Sequence, residues 1–382
     1  MRVFTGTILI LFLTIQCEKA ENFDALTLFE NKTGEYACYR IPAIINTSNG
    51  TLLAFAEGRK LDCGDFGKVD ILLRLSNDGG KNWSPQKIIA TYKNLQAGNP
   101  APVVDQYDLN YPNGRIFLFY NTGTVSEHDM RLGKGVREVW YKTSEDNGVN
   151  WSEGVNITSQ VHFNANSLHQ DMDWRTHANT PGHALQFKKG KFQGRIYIPA
   201  NHSQGPPQEK YNDYRAYGFY SDDHGLNWKV SPDVEVASSN EAIGVELSNG
   251  DLMLNIREQN GNTKERLIAI SKDGGASWEK TYFDAELISP VCQSSLLQFI
   301  KDQDTLLLFS GPNSREKREK MTLKISLDQG QNWTYSKLIH EGASSYSDLV
   351  QIDSNTLGVL YEKGSEGISF QILSGDSLLK TP

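Results

Sequence analysis

Two short stretches hold the side chains most able to do chemistry. CYRIPAI begins an apolar run with Arg40, and AFAEGRKLDCGDFGK holds Arg59, Asp62 and Asp65. Guanidinium groups bind carboxylates bidentately, and a positioned carboxyl group can transfer protons. Taken alone, the arginine is typical of a solvated edge strand and the second stretch of a polar surface turn. The sequence has no Gly-rich phosphate loop and no Cys/His spacing of a metal site, so it predicts neither cofactor nor metal.

An eight-residue pattern, Ser-x-Asp-x-Gly-x-x-Trp, occurs five times along the chain. The Asp side chain can accept hydrogen bonds from the amides of its own turn, and Gly supplies a positive φ, so each copy predicts a hairpin turn with the Trp packed beneath it. Five copies cannot all face one active site, so the pattern predicts a structural turn repeated in successive sheets. The copies lie at 76–83, 144–151, 221–228, 271–278 and 326–333.

The segments between these turns have the pattern of β-strands. Apolar runs such as VDILLRL, ERLIAI and MTLKI precede three of the turns, and no long run has a helical period. Repeats 50 to 77 residues apart are typical of a propeller or another repeat array. At about 60 residues per unit, we expect an all-β fold, a six-bladed β-propeller of four-stranded antiparallel sheets. The sixth blade, which lacks the octet, would be closed by strands from both chain ends.

The N-terminal segment and the net charge bear on where this protein works. Residues 1–20 contain a short apolar run at 8–15, which predicts a signal peptide, a secreted, periplasmic or cell-surface protein, and a single domain at 21–382. Cys17 leaves lipid anchoring as an alternative, which Gln16 disfavours.

The later cysteines are enough for one disulfide, whose partners stay open. The net charge of -8 argues against nucleic acid as a partner, although a local pocket can still be positive.

The YRIP strand at Arg40, together with the five octets, resembles the sialidases (exo-α-sialidases or neuraminidases) of the bacterial and animal superfamily. The likeness covers essentially the whole chain after the leader. It implies that Arg40 is the first of three arginines that hold the carboxylate of the substrate. NEAIGVELSNGDLMLNIR is similar to the family's stretch with the catalytic Glu first and the second Arg last, which implies Glu241 and Arg257. REKMTLKIS implies Arg318 as the third arginine.

Further matches imply the remaining roles. The family places an Arg at the end of the next strand and a catalytic Asp five or six residues later, which implies Arg59 and Asp65. YSDL implies Tyr346 as the nucleophile, and LYEKG implies that Glu362 orients Arg40. Arg59 would contact the outer substituents of the sugar.

Three neighbours, Asp62, Arg315 and Glu246, could be mistaken for these residues. Asp62 follows Arg59 by only three residues, against five or six in the family. Arg315 lies three residues before the third arginine. Glu246 is expected to face outward.

The resemblance implies an exo-α-sialidase that removes terminal sialic acid from glycoproteins, glycolipids or oligosaccharides, with retention through a covalent tyrosyl intermediate. Glu241 would take the proton of Tyr346, and Asp65 would protonate the leaving oxygen. A trans-sialidase would share these residues, so transfer stays open beside hydrolysis. A non-catalytic sialic-acid-binding propeller would keep the arginines but lose the Tyr, Glu and Asp set, which this chain retains. We expect a monomer that spans no membrane.

Overall fold

Most of the regular structure in the described residues is β-strand. The computed structural model describes residues 24–163 and 172–379, so the expected signal peptide and Cys17 lie outside the described residues. Two short α-helices are α1 (Glu127–Arg131) and α2 (Thr158–Val161), and short 3-10 turns lie at Gly190–Phe192, Glu209–Tyr211 and Gly375–Ser377. Within the described ranges, none of the helices has the length and apolar character needed to cross a membrane.

The strands of the described ranges are short and follow one another along the whole chain. They are β1 Leu26–Glu30, β2 Cys38–Asn46, β3 Leu52–Arg59, β4 Val69–Ser76, β5 Lys87–Ala90, β6 Gln96–Asp105, β7 Arg115–Gly123, β8 Arg137–Ser144, β9 Val155–Asn156, β10 Trp174–Asn179, β11 Leu185–Gln186, β12 Ile196–Gln204, β13 Tyr214–Ser221, β14 Lys229–Val230, β15 Ser239–Glu246, β16 Leu252–Glu258, β17 Glu265–Ser271, β18 Lys280–Ile288, β19 Ser295–Lys301, β20 Asp304–Pro312, β21 Glu319–Ser326, β22 Tyr335–Ala343, β23 Ser347–Asp353, β24 Thr356–Lys363 and β25 Gly367–Ser374.

These strands pair into sheets that are almost entirely antiparallel. Strands β15 to β18 form one sheet in chain order, β19 to β22 form a second, and β10 to β14 form a third. In a fourth sheet, β1 pairs with β25, beside β24 and β23. The prediction that strands from both ends of the chain share one sheet is therefore confirmed.

The remaining sheet holds eight strands, β2 to β9, in two halves. The halves are joined by a single parallel pair, Val69 with Gln96. Within the described residues, hydrogen bonding therefore gives five sheets where the sequence predicts six separate ones, because this bridge merges the first two repeats.

The first strands of the repeats meet around a central axis. Strand β2 contacts β6 and β23, β15 contacts β12 and β19, and β19 contacts β23, while β6 contacts β10, β11 and β12. These contacts close the sheets into a β-propeller. A cavity among these inner strands is lined by Ile44, Val103, Leu185, Val245 and Leu349, among others.

Aromatic side chains fill the space between neighbouring sheets. Phe117 and Phe119 on β7 pack against Phe219 on β13 and against Trp228. Full burial of one such Phe side chain stabilises the fold by about 1.5–3 kcal/mol. Packing of this kind holds adjacent sheets, and the residues at their ends, at fixed distances.

Each octet is a turn, as predicted, and it follows the third strand of its repeat. In the first copy, Asp78 Oδ1 accepts a hydrogen bond from the Asn82 amide at 2.9 Å, and Ser76 Oγ accepts one from the Gly80 amide at 2.9 Å. Gly80 has a φ of +90°, which favours glycine, and its carbonyl accepts a bond from the Trp83 indole at 2.9 Å. In the other four copies, a backbone amide four residues after the Asp donates the same hydrogen bond to its Oδ1. The octets are structural turns.

Candidate active site

Arg40 lies near the start of β2, where the pairing with β3 is interrupted. The register shifts between Arg40 and Ala43, and Ile41 has a φ of +59°. Such bulges re-aim a side chain. Glu362 on β24 accepts hydrogen bonds from Arg40 Nε at 3.1 Å and Nη2 at 3.4 Å, and from the Ile41 amide at 2.9 Å. Glu362 therefore fixes the guanidinium of Arg40, and the contact predicted between them is present.

Glu241, Arg257 and Tyr346 form a second set of short contacts. Glu241 lies where the register between β15 and β16 shifts, Arg257 is near the end of β16, and Tyr346 directly precedes β23. The Tyr346 hydroxyl donates to Glu241 Oε1 at 2.5 Å. Arg257 Nη1 donates to Tyr346 Oη at 3.0 Å and to Glu241 Oε2 at 2.6 Å. A phenol thus lies against a carboxylate that can take its proton.

Tyr346 is only 6% exposed. Burial raises its pKa well above the ordinary value, and the charge of Glu241 raises the pKa further. The positive charges of Arg257, Arg40 and Arg318 act in the opposite direction. Tyr346 is therefore protonated at neutral pH, and it becomes a nucleophile only when a base accepts its proton as the new bond forms.

Arg318 completes a ring of guanidinium groups around Tyr346. Its Nη2 donates to the Val291 carbonyl at 2.8 Å, and its Nη1 lies 3.4 Å from Ser345 Oγ. The Cζ atoms of Arg40 and Arg318 lie 5.0 and 5.7 Å from the centroid of the Tyr346 ring. Arginines from three distant parts of the sequence thus meet at one phenol. A carboxylate bound there would meet several fixed positive charges.

The loop between β3 and β4 holds Asp65 beside this ring. Asp65 Oδ1 lies 2.7 Å from Arg59 Nη1 and 3.2 Å from Arg40 Nη1, while its side chain is 78% exposed. A disulfide between Cys38 and Cys63 ties the loop to β2. Desolvation would raise the pKa of Asp65, but Arg59 and Arg40 outweigh it and hold that pKa below its ordinary value. Without a ligand, Asp65 is therefore ionised at neutral pH.

The contacts of Arg59 make it a support of this loop. Its Nε and Nη2 donate to Glu57 Oε2 at 3.0 and 2.7 Å, and its Nη1 donates to the carbonyls of Cys63 and Gly64. The side chain is 3% exposed, and each guanidinium nitrogen has a protein partner. The expected contact between Arg59 and a sugar stays a prediction.

Sequence reasoning missed Glu57. This residue is fully buried and accepts hydrogen bonds from Arg59 and from the Asn99 amide, the latter at 2.8 Å. A lone acid two residues before Arg59 in an apolar strand is a signal that was available, because alternate residues of a strand face the same side. Glu57 thereby anchors the arginine that holds Asp65.

The three competing neighbours have structural contacts. Asp62 Oδ1 accepts a bond from the Gly64 amide at 2.6 Å within the loop, and Arg315 donates to the Thr263 carbonyl at 2.9 Å. The prediction that Glu246 faces outward is wrong. Glu246 is 7% exposed, accepts a bond from the Lys188 amide, and lines the central cavity, because β15 is an inner strand covered on both faces.

One cluster away from this site has metal-ligand side chains among the described residues: Asp105, Asp108 and His224. Arg115 Nη2 lies 3.2 Å from Asp108 Oδ2 and 3.9 Å from Asp105 Oδ2, so a guanidinium already balances these acids. Asp105 is the last residue of β6, whereas Asn99, whose amide donates to Glu57, lies nearer the start of that strand. The cluster is therefore separate from the ring of arginines.

Comparison with known proteins finds several that are similar to this chain. A family profile described as BNR repeat-like domain matches residues 50–359. The Sialidase of Micromonospora viridifaciens is 31% identical over 86% of this chain, which spans only 50% of that protein. Sialidase-2 of Mus musculus is 30% identical over 91% of this chain and 94% of its own length. The solved structure of Hadza microbial sialidase Hz136 superposes with a TM-score of 0.78 at 27% identity, covering 90% of this chain and 67% of that one.

Proposed function

Because this chain belongs to the sialidase family, we propose that it is an exo-α-sialidase, a retaining glycoside hydrolase that removes terminal α-linked sialic acid from glycoconjugates. Its substrates would be sialylated glycoproteins, glycolipids or oligosaccharides. The observation that carries the proposal is the Tyr346 hydroxyl, which lies 2.5 Å from Glu241 and within a ring formed by Arg40, Arg257 and Arg318.

The arginine ring suits a sugar whose anomeric carbon bears a carboxylate, as that of sialic acid does. Guanidinium groups are planar and always charged, and they bind carboxylates through paired hydrogen bonds. In the free protein one of these donors, Arg40 Nη1, is shared with Asp65 at 3.2 Å. A substrate carboxylate would take over that donor.

A tyrosine nucleophile fits this substrate better than a carboxylate does. Most retaining glycosidases attack with a carboxylate, and sialidases with a Tyr nucleophile are a known exception. A carboxylate nucleophile about 4 Å from the substrate's own carboxylate would be repelled by about 4 kcal/mol at an effective dielectric near 20. Neutral Tyr346 avoids that repulsion, and Glu241 removes its proton as the bond to the anomeric carbon forms.

Asp65 is the proposed general acid and base. It would protonate the leaving oxygen in the first step and deprotonate water in the second. Arg59 and Arg40 hold its pKa low in the free protein. A bound substrate carboxylate would offset part of that positive charge, so binding itself would raise the pKa of Asp65 toward the value that an acid needs.

The remaining expectations from the sequence belong to the same proposal. The two halves of the eight-stranded sheet, which share one parallel residue pair, would count as two blades and give a six-bladed propeller. Residues 1–20 would be a signal peptide, 21–382 a single catalytic domain, and the mature protein a secreted or surface-exposed monomer.

The direct test is to incubate the protein with 3′- and 6′-sialyllactose and to follow the products by proton NMR. Free sialic acid should appear first as the α-anomer and then mutarotate, because double displacement retains configuration. Adding a galactoside acceptor in a parallel reaction separates hydrolysis from transfer. No sialic acid released from either linkage, or the β-anomer appearing first, would contradict the proposal.

A further inference from the structure

Arg266 on β17 is a buried cation that the proposed reaction does not use. It is 1% exposed and is one of the largest fully buried side chains of the described residues. Among the residues that the structure describes, it forms no salt bridge with a carboxylate. Burying a charge without a paired counter-ion is costly, so a charge at this position calls for an explanation.

The guanidinium of Arg266 connects two segments that support the arginine ring. Its Nε donates to Asn255 Oδ1 at 2.6 Å and its Nη2 to the Asn255 carbonyl at 3.3 Å, while its Nη1 donates to the Cys292 carbonyl at 2.5 Å. Asn255 lies on β16, two residues before Arg257, so both side chains face the same side of the strand. The fork of Arg266 therefore braces the strand that carries Arg257.

The second segment supports Arg318 and Tyr346. Val291, next to Cys292, has a φ of +59°, and its carbonyl accepts the hydrogen bond from Arg318 Nη2. Cys292 itself packs in a small cluster with Tyr346 and Ile41. The hydrogen bond from Arg266 to the Cys292 carbonyl thus holds in place the segment that Arg318 and Tyr346 contact.

The charge of Arg266 also reaches the reacting groups. Burial lowers its pKa to about 9, Cys292, Glu241 and Tyr346 act to raise the pKa, and Arg257 acts to lower it. Arg266 is therefore still charged at neutral pH. Because Coulomb interactions are mutual, its positive charge favours negative charge on the Glu241–Tyr346 pair.

We propose that Arg266 is a positioning residue of the active site, which fixes Arg257 and Arg318 through its fork and adds a buried positive charge near the Glu241–Tyr346 pair. This inference rests on the proposed sialidase function. The other charged or titratable groups around the pair are Arg40 on β2, Asp65 in the loop after β3, Arg257 on β16, Cys292 before β19, Arg318 before β21 and Glu362 on β24.

The test compares Arg266→Met, which keeps the length and removes the charge, with Arg266→Lys, which keeps the charge and loses the fork. The measurement is kcat and the pH profile of kcat/KM on an aryl sialoside, with Tm as the check on folding. For Arg266→Met we expect kcat to fall at least about tenfold, since the fork places two ring arginines. The acid limb of the kcat/KM profile of this variant, which reports an ionised base, should move up by about 1 pH unit because a nearby positive charge is lost. For Arg266→Lys we expect a lower kcat, with the acid limb of the kcat/KM profile at the same pH as in the parent protein.

Arg195→Met is the matched control. Arg195 is 8% exposed and binds Asp222 and the Gly274 carbonyl in another part of the propeller. Its loss should lower Tm and leave the pH profile unchanged.

Three results would overturn the inference. They are a folded Arg266→Met variant with the parental profile, an acid limb shifted in Arg266→Lys, and an equal shift in the Arg195→Met control. If Arg266→Met does not fold, Arg266→Lys decides alone, since a kcat at the parental value contradicts the role of the fork and a reduced kcat with an unmoved limb supports it. An inactive parent protein would instead refute the proposed function.

Discussion

Replacing Arg318 with methionine tests one arginine of the ring with little disturbance of the fold. Arg318 is exposed, its hydrogen bonds go to the Val291 carbonyl and Ser345 Oγ, and its guanidinium lies near the Tyr346 ring. Among the described residues it forms no salt bridge, so Arg318→Met leaves no buried acid without its partner. An exposed change of this kind alters the free energy of unfolding by about 0.5 kcal/mol or less.

The expected loss of activity follows from the bond that Arg318 would make to the substrate. A hydrogen bond to a charged group contributes about 1.5–3 kcal/mol. Since each 1.4 kcal/mol corresponds to a factor of about ten, kcat/KM should fall about 10- to 150-fold. A substrate whose carboxylate is a methyl ester has already lost the charge, so the same variant should change its cleavage by less than about threefold.

The assay is kcat/KM for a fluorogenic sialoside and for its methyl ester, measured with the parent and the variant. Arg315→Met is the matched control, because Arg315 is also exposed, lies three residues earlier, and binds the Thr263 carbonyl and Glu265. We expect the control to leave both rates unchanged. Equal losses on acid and ester, or no loss on the acid, would refute the reasoning that Arg318 binds the carboxylate.

Other expected outcomes concern the reacting groups, the loop and a buried histidine. Tyr346→Phe should abolish turnover with an unchanged Tm, and measurable turnover would remove Tyr346 as the nucleophile. Asp65→Asn should slow sialyllactose cleavage by about 10²-fold or more while an aryl sialoside, whose leaving group needs no proton, loses far less; equal losses would exclude Asp65 as the acid. Exchanging Cys38 and Cys63 for serine opens a loop with a sequence separation of 25 residues and should cost about 3.5 kcal/mol of stability, read by denaturant unfolding; an unchanged midpoint would contradict this. Burial lowers the pKa of His177 to about 3, so on acidification the unfolded chain binds a proton at this residue before the folded protein does. The stability that neutral His177 contributes is therefore complete above about pH 6.5 and falls by up to about 1.4 kcal/mol per pH unit below it. The variant His177→Gln should reduce this slope.

Much of this architecture could be predicted from local patterns. The family recognised from the YRIP strand and the octets is confirmed by the profile match over residues 50–359 and by the relative that aligns over 94% of its own length. The octets could be predicted because the bonds of each turn, such as that from the Asn82 amide to Asp78, join residues four apart. The shared sheet of β1 and β25 followed from the ring, because closure needs strands from both ends.

What could not be predicted depends on partners that are far apart in sequence. The pair of Val69 and Gln96 joins the backbones of two repeats and leaves no side-chain pattern. Glu246 could be taken for an outward residue because alternation describes strands with one wet face, and β15 is buried along nearly its whole length. Arg266, at the start of a strand, resembles a solvated end residue, yet its acceptor at Cys292 lies 26 positions away.

The most direct measurement is covalent trapping of the nucleophile. A sialosyl fluoride with a second fluorine beside the anomeric carbon would slow both chemical steps, because fluorine destabilises the oxocarbenium-like transition state, while the fluoride leaving group still allows the first step. Intact mass spectrometry should show one added fluorosialosyl group, and peptide mapping should place it on Tyr346. An adduct on Glu241 or Asp65, or inactivation of the enzyme without any adduct, would contradict the account.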